Sequence, residues 1–212
     1  MHQKPVRRLL FLVGLALGCA VTPPEEEGGI SDFFPLKVGH AWTYANFDPT
    51  GKQFGDPWSY RVSSSSSNGK STIYYRNISI GPIPQDAYFK DDTGVYTVGN
   101  SGDLVERRIA YPVVLNREWA FRAPGVFTDN NGNPVSYMRR ARVEATEPLT
   151  LFKGLKFDET LKIHYITEGP SRPAEIFRWY AKGIGLVREV RLFEPNRIVE
   201  LTAYSLDSPD GK

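Results

Sequence analysis

The chain has 212 residues, of which 41% are hydrophobic, and it carries 26 Lys and Arg residues against 24 Asp and Glu. Three of the basic residues, Lys4, Arg7 and Arg8, lie within the first 18 positions, which contain no acid, so the remainder holds 23 basic and 24 acidic side chains. That remainder has a net charge of −1 and lacks the positive field that nucleic-acid binding requires, so we expect no nucleic-acid partner.

The N-terminus has the organisation of a bacterial lipoprotein signal peptide. Its basic start precedes an apolar run over Leu9–Leu17, about half of the ~20 residues that a membrane-spanning helix needs. Gly18 then precedes Cys19, the one cysteine of the chain, in a segment that resembles the lipobox of bacterial lipoproteins. The Ala16–Gly18 segment also has the form of an ordinary secretory cleavage site, but cleavage there alone would leave an unpaired thiol in an oxidising compartment. We therefore predict that residues 1–18 are removed and that lipid on Cys19 anchors the chain to a membrane.

Residues 19–30 are rich in Pro, Glu and Gly and predict a flexible tether. Ala20 follows the cysteine, whereas an Asp at that place retains lipoproteins at the inner membrane of enteric bacteria. By this resemblance we expect a lipid-anchored protein of the bacterial outer membrane that faces the periplasm.

Residues 31–206 predict one all-β domain, and residues 207–212 a disordered tail. Short runs rich in Tyr, Phe, Thr, Val and Ile alternate with turn residues, and Asn68-Gly69 is typical of a tight hairpin turn. We expect about 11 or 12 strands, little helix, and a single antiparallel meander strongly curved into an open or half barrel. The predicted strands are Ala41–Phe47, Trp58–Ser64, Lys70–Ile80, Ala87–Lys90, Gly94–Gly99, Leu104–Ala110, Glu118–Phe127, Val135–Thr146, Leu161–Thr167, Ile176–Ala181, Gly185–Phe193 and Arg197–Tyr204.

Four segments of this domain resemble a broad set of uncharacterised bacterial exported proteins and lipoproteins. Phe34–Tyr44 has the Phe-Pro-Leu-x-x-Gly-x-x-Trp-x-Tyr pattern that begins their folded domain, and Trp179–Val187 is similar to their Trp-Tyr-Ala-x-Gly-Val-Gly-Leu-Val pattern. Tyr111–Trp119 and Phe152–Tyr165 are weaker matches, and Asn116 stands where Gly is usual. The resemblance implies an architecture similar to the incompletely closed barrels of periplasmic lipoprotein carriers.

The motif residues support two interpretations. Gly39, Gly183 and Gly185 are expected to be structural turns, because glycine permits tight turns and sheet corners. The aromatic residues are core anchors in one interpretation and line a ligand cavity in the other. The candidate ligand-lining residues are Trp42, Tyr44, Trp119 and Trp179.

No catalytic signature is present in the sequence. His40 and His164 are isolated, no second thiol accompanies Cys19, and there is no Gly-x-Ser-x-Gly elbow. We therefore expect no enzymatic activity, no metal site and no cofactor. The function expected first is a structural or protein-interaction module of the cell envelope. The alternative is a carrier or sensor of a lipid or other apolar ligand, held in the concave face of the half-barrel.

Overall fold

The structure is a computed structural model, and it describes residues 33–79, 86–99, 104–128, 134–168, 174–192 and 197–206. The predicted signal peptide, Cys19, the tether and the tail at 207–212 lie outside these residues. Within the described ranges the chain forms 12 strands and no α-helix, and none of it forms a helix long and apolar enough to span a bilayer. The strands are β1 (Ala41–Phe47), β2 (Gln53–Ser67), β3 (Thr72–Ile78), β4 (Asp86–Lys90), β5 (Gly94–Val98), β6 (Leu104–Ala110), β7 (Glu118–Thr128), β8 (Pro134–Thr150), β9 (Lys156–Glu168), β10 (Ala174–Ala181), β11 (Gly185–Arg191) and β12 (Arg197–Ser205).

The strands form one antiparallel sheet in the order β6-β5-β4-β3-β2-β1-β12-β11-β10-β9-β8-β7. Strands that follow one another in the chain pair as hairpins within each half, and the first strand pairs with the last. The sheet closes into a barrel except at one seam, between β6 and β7, which have no ladder between them. The predicted all-β antiparallel meander, curved into an incompletely closed barrel, is thus confirmed.

The curvature comes from bulges and alternation within the strands. β1 is interrupted by a register shift between Thr43 and Tyr44 on its β12 side, and β10 has one between Trp179 and Tyr180. Such bulges increase local twist and bend a strand. On β9 the buried Ile163 alternates with partly exposed neighbours, which is the pattern of a sheet with one covered face.

The hairpin of β2 and β3 is longer than the sequence predicts. The polar residues Ser63–Gly69 are typical of a loop tip, yet β2 continues through Ser67, which pairs with Thr72. The Asn68 side-chain oxygen accepts hydrogen bonds from the backbone N–H groups of Lys70 and Ser71 and so closes the turn. The serines form strand because they pair with the aromatic β3, although they contribute little apolar burial.

The interior of the barrel is packed on one side by apolar residues from both halves of the sheet. Tyr165 and Tyr180 are fully buried there, with their hydroxyl oxygens 3.3 Å apart, and burial raises the pKa of both phenols. Ile109 of β6 and Ile163 of β9 belong to the same cluster. This packing joins the strand at the seam to the strands opposite it.

Side chains hold the seam where no backbone ladder exists. The Trp119 Nε1–H of β7 donates to the carbonyl of Arg107 on β6, at 3.1 Å. The hydroxyl of Tyr165, on β9, donates to the carbonyl of Arg108, which also lies on β6. The first bond joins the two strands of the seam, and the second ties β6 to β9 across the interior of the barrel.

Candidate functional site

A cavity of about 340 Å³ lies inside the barrel next to β1, β2, β11 and β12, and is partly open to solvent. Its wall combines aromatic rings, aliphatic side chains and charged groups. The volume falls in the lower part of the range of small-molecule sites, roughly 300–1,000 Å³. Its lining residues are Phe34, Pro35, Leu36, Trp42, Tyr44, Asn46, Asp56, Trp58, Tyr60, Arg76, Ile78, Tyr88, Arg108, Gly185, Leu186, Glu189, Arg191, Arg197 and Val199.

Two of the four sequence-predicted aromatic residues, Trp42 and Tyr44, line this cavity. The Trp42 Nε1–H donates to the carbonyl of Ile184 at 2.7 Å, and the Tyr44 hydroxyl donates to that of Leu186 at 2.8 Å. Ile184 and Leu186 come before Arg188, the first residue of β11 that pairs with β12. The polar ends of the two rings are therefore bonded, and burial raises the pKa of the Tyr44 phenol well above its usual value.

These bonds join the Phe34–Tyr44 motif to the Trp179–Val187 motif at one end of the cavity. Gly185 lies at the junction with φ of +104°, and a Cβ placed on it would lie 3.7 Å from Pro35 Cδ. The strain of a side chain at this position would therefore come from the backbone conformation rather than from a steric clash. Gly39 and Gly183 also adopt positive φ, at +96° and +71°.

Asn116, which occupies the usual glycine position of the weaker motif, also adopts a left-handed conformation, with φ of +64°. Asparagine tolerates this region better than most residues. Its side-chain oxygen accepts a hydrogen bond from Arg142 Nη2 at 2.6 Å, which fixes the loop against β8. The substitution thus keeps the turn.

The neighbouring strand β2 continues the aromatic wall, because Trp58 and Tyr60 pair directly with Tyr44 and Trp42. Trp58 stacks on Tyr44 with ring centroids 6.2 Å apart, and Tyr60 meets Tyr44 edge-on at 5.7 Å. The guanidinium of Arg76 lies over the rings of Tyr60 and Tyr88, at 4.5 and 4.0 Å from their centroids. Packed rings of this kind form a rigid, preorganised surface.

A buried network of ions adjoins the cavity, and Arg108, Glu189 and Arg191 of this network form part of its wall. Glu106 of β6 accepts ion pairs from Arg178, Arg139 and Arg108 at 2.6, 2.7 and 2.9 Å. Arg178 also bonds Glu189 of β11 at 2.7 Å. Arg191 forms an ion pair with Glu189. We call all of these residues together the Glu106 network. It connects the strand at the seam to β8, β10 and β11.

The guanidinium groups keep both carboxylates of the network ionised. Burial would raise the pKa of Glu106, but Arg108, Arg178 and Arg139 outweigh it and hold the pKa well below its usual range. Burial likewise opposes ionisation of Glu189, and Arg178 and Arg191 lower its pKa to about 2. Both acids are therefore charged at neutral pH and serve as fixed structural anions.

Trp119 and Trp179 lie away from the cavity. Trp119 packs edge-on against Tyr165 and bridges the seam, as described above. Trp179 donates its Nε1–H to Glu147 at 2.7 Å, with the ammonium of Lys162 5.5 Å from its ring centroid. Alternation along β10 explains this placement, because the neighbouring Arg178 belongs to the interior network.

The two histidines within the described ranges, His40 and His164, have local partners. His40 bonds the carbonyl of Pro35 through Nδ1 at 2.9 Å, within the first motif. His164 stacks on Phe177 and contacts Glu144 and Glu175 at 3.2 Å each. Across the described ranges, no three His, Cys, Asp or Glu side chains are grouped to hold a metal ion.

Sequence reasoning missed the most important cavity residues. Trp58 could have been found, because Trp58, Tyr60 and Val62 alternate along one predicted strand. The arginines could not, since Arg108, Arg191 and Arg197 sit among ordinary surface charges in the sequence. Their burial depends on the barrel closing around them.

Comparison with solved structures supports the fold. A predicted lipoprotein from Parabacteroides distasonis is 16% identical, and the match covers 82% of this chain and 98% of that one, with a TM-score of 0.49. A predicted exported protein with a YmcC-like fold from Bacteroides fragilis is 15% identical over the same shares, with a TM-score of 0.51. The chain is thus similar in fold to that YmcC-like protein. No family model matches the chain, and no functionally curated protein is significantly similar to it in sequence.

Proposed function

We propose that this chain is a lipid-anchored protein of the bacterial envelope whose barrel binds a small, largely apolar ligand. The observation that carries the proposal is the cavity beside the two motifs, whose wall contains the contacting aromatic rings of Trp42, Tyr44, Trp58 and Tyr60. This is the carrier or sensor function that the sequence left as its alternative. A structural or protein-interaction module, the function expected first, remains a prediction that no feature of the described residues favours specifically.

The aromatic part of the cavity wall supports ligand binding because it offers apolar ring faces that are already held in place. Trp42 and Tyr44 have their polar atoms bonded to backbone carbonyls, so their rings offer apolar faces without an unsatisfied group. Because these side chains are already held in place, a ligand that binds does not have to immobilise them, and the entropy cost of doing so is avoided. An aromatic core with no ligand function would be expected to fill this space.

Two observations support placement in the envelope. The N-terminal sequence has the basic, apolar and cysteine segments of a lipoprotein signal. The solved structure of YmcC-like fold belongs to a protein described as exported. Attachment through Cys19, and an outer-membrane location facing the periplasm, belong to the proposal.

A cavity-filling substitution tests ligand binding. Val199→Trp places a large ring in the cavity, whereas Ile198→Trp places the same ring at the adjacent residue, which does not line it. We expect native mass spectrometry with lipid extraction, on protein purified from its own host, to show a bound molecule in the wild type and in Ile198→Trp. Val199→Trp should lose most of it, because the ligand's volume is taken.

The melting temperature of both variants shows whether the barrel remains folded. A clean unliganded mass for the wild type, or an equal bound fraction in the two folded variants, would contradict the proposed cavity function.

Lipid attachment has a separate test. Cys19→Ser removes the thiol to which the acyl group attaches, so incorporation of labelled palmitate should be lost and an uncleaved or untethered chain should accumulate. If the label enters the Cys19→Ser protein as before, the anchor is elsewhere.

A further inference from the structure

The cavity has a chemical polarity along β1. Trp42 lies beside the Gly185–Leu186 end, where Leu36 and Pro35 also contribute to the wall. Asn46, four residues further and about 13 Å along an extended strand, lies at the other end. The first end is lined by aromatic and aliphatic groups together with Arg76, whose guanidinium lies over the Tyr60 ring, and the second end contains two arginines side by side.

The cationic end is formed by Arg191, the last residue of β11, and Arg197, the first of β12. The two residues are direct partners in the antiparallel ladder, and both line the cavity. Like charges directly opposite one another on neighbouring strands repel. Desolvation and the nearby Arg191 lower the pKa of Arg197, which is the direction expected for an incompletely neutralised pair.

The carboxylates nearby do not neutralise this pair. Glu189 bonds Arg191 at 2.5 Å, but it also bonds Arg178, so one negative charge serves two guanidinium groups. Arg197 donates through Nε to the neutral Asn46 side chain, and makes no ion pair with any residue in the described ranges. Asp56, the other acid of the wall, is exposed to solvent.

Arg197 is also held in position for a ligand. Its guanidinium carbon lies 5.7 Å from the centroid of the Trp58 ring, and Asn46 fixes its Nε at 2.5 Å. The two Nη groups carry no hydrogen bond within the described part of the chain. A planar guanidinium with free Nη donors matches the two oxygens of a carboxylate or phosphate.

We infer that the cavity binds an amphipathic organic anion, with its oxyanion on Arg197 and Arg191 and its apolar body between Trp42, Tyr44 and Trp58. This inference rests on the proposed function and specifies the ligand class. The oxyanion is a carboxylate or a phosphate monoester on an apolar chain. A free inorganic anion would leave the aromatic end empty, and a neutral lipid would leave Arg197 without an anionic partner in the described part of the chain.

The test compares three probes on the whole chain from position 19 onward, with Cys19→Ser so that acyl groups are omitted. The probes are decanoate, decyl phosphate and decanol. Inorganic phosphate is the control that carries the headgroup without the apolar chain. Binding is measured by the fluorescence of Trp42 and Trp58, which line the cavity. We expect at least one of the two anions to bind about tenfold or more tightly than decanol, and inorganic phosphate not to bind at the same concentration. The preferred anion distinguishes the carboxylate from the phosphate.

Arg197→Gln should remove this preference by weakening the favoured anion about tenfold while leaving decanol unchanged. Arg197→Lys, which retains the charge but not the fork, should give an intermediate loss. Arg61→Gln, an exposed position on β2 that does not line the cavity, is the matched control and should bind as the wild type does.

The outcomes separate this inference from the proposed function. If decanol binds as tightly as both anions, or if Arg197→Gln weakens neither, the anion site is wrong and the apolar cavity function stands. If none of the three chain-bearing probes binds the wild type, both are overturned.

Discussion

Replacing Glu106 by glutamine is expected to lower the free energy of unfolding by about 3–5 kcal/mol, the usual cost of breaking a buried ion pair by removing one partner. The amide would keep the shape of the side chain, but Arg178 would lose one of its two negative partners, at 2.6 Å, and Arg139 would lose its partner at 2.7 Å. Equilibrium unfolding in urea at pH 7 measures the change. For a domain of this size the melting temperature should fall by roughly 10 °C.

Glu168→Gln is the control for this variant. Glu168 pairs with Arg140 at 3.0 Å, but the two side chains are 50% and 64% exposed, so the loss should stay below about 1 kcal/mol. Equal losses in the two variants would show that the Glu106 network does not stabilise the barrel.

The position of Glu106 at the seam gives the same variant a local consequence. β6 is a terminal strand of the sheet order, and Glu106 connects it to Arg139 of β8 and Arg178 of β10. With that connection weakened, backbone amides of β6 should exchange with solvent faster than those of β1, which is paired on both sides. The ionic network therefore replaces, at the seam, part of what a hydrogen-bonded ladder does elsewhere.

The fold was predictable from local patterns because each strand is a short run of β-forming residues bounded by turn residues. Ala41–Phe47 was predicted with the bounds of β1, and the turns after it contain residues suited to their backbone. Strand ends were less predictable where polar residues continue a ladder, as in the serines of β2. Pairing with a neighbouring strand, which no local pattern contains, decided those ends.

The candidate site was only half predictable. Trp42 and Tyr44 were placed correctly on one face by alternation, and both reach the cavity. Trp119 and Trp179 were grouped with them by residue type; Trp179 bonds Glu147, and Trp119 bridges the seam and lines a separate cavity beside β8 and β9. Alternation along β10 puts Trp179 on the face opposite Arg178, and closure of the barrel brings Trp119 to the seam, so residue type alone could not separate the four aromatic residues.

Acid is expected to unfold this barrel, because its buried carboxylates are ionised in the folded state. An unfolded Glu has a pKa of about 4.3, whereas that of Glu189 is about 2 in the fold and that of Glu106 is also strongly lowered. Their contribution to stability is fully present above the unfolded pKa and is lost as the pH falls toward the folded one. As the pH falls through that window, protonation of each group should lower the free energy of unfolding by about 1.4 kcal/mol per pH unit.

Because both carboxylates have a lowered pKa, the stability of the wild type should fall steeply between roughly pH 4.5 and pH 2. Urea unfolding at intervals from pH 7 to pH 2 measures this slope. In Glu106→Gln one of the two titrating groups is absent, so its stability should start lower at pH 7 and then decline more gently below about pH 4.5. Parallel declines in the wild type and the variant would mean that Glu106 is not ionised inside the barrel, and that the arginines around it are balanced in some other way.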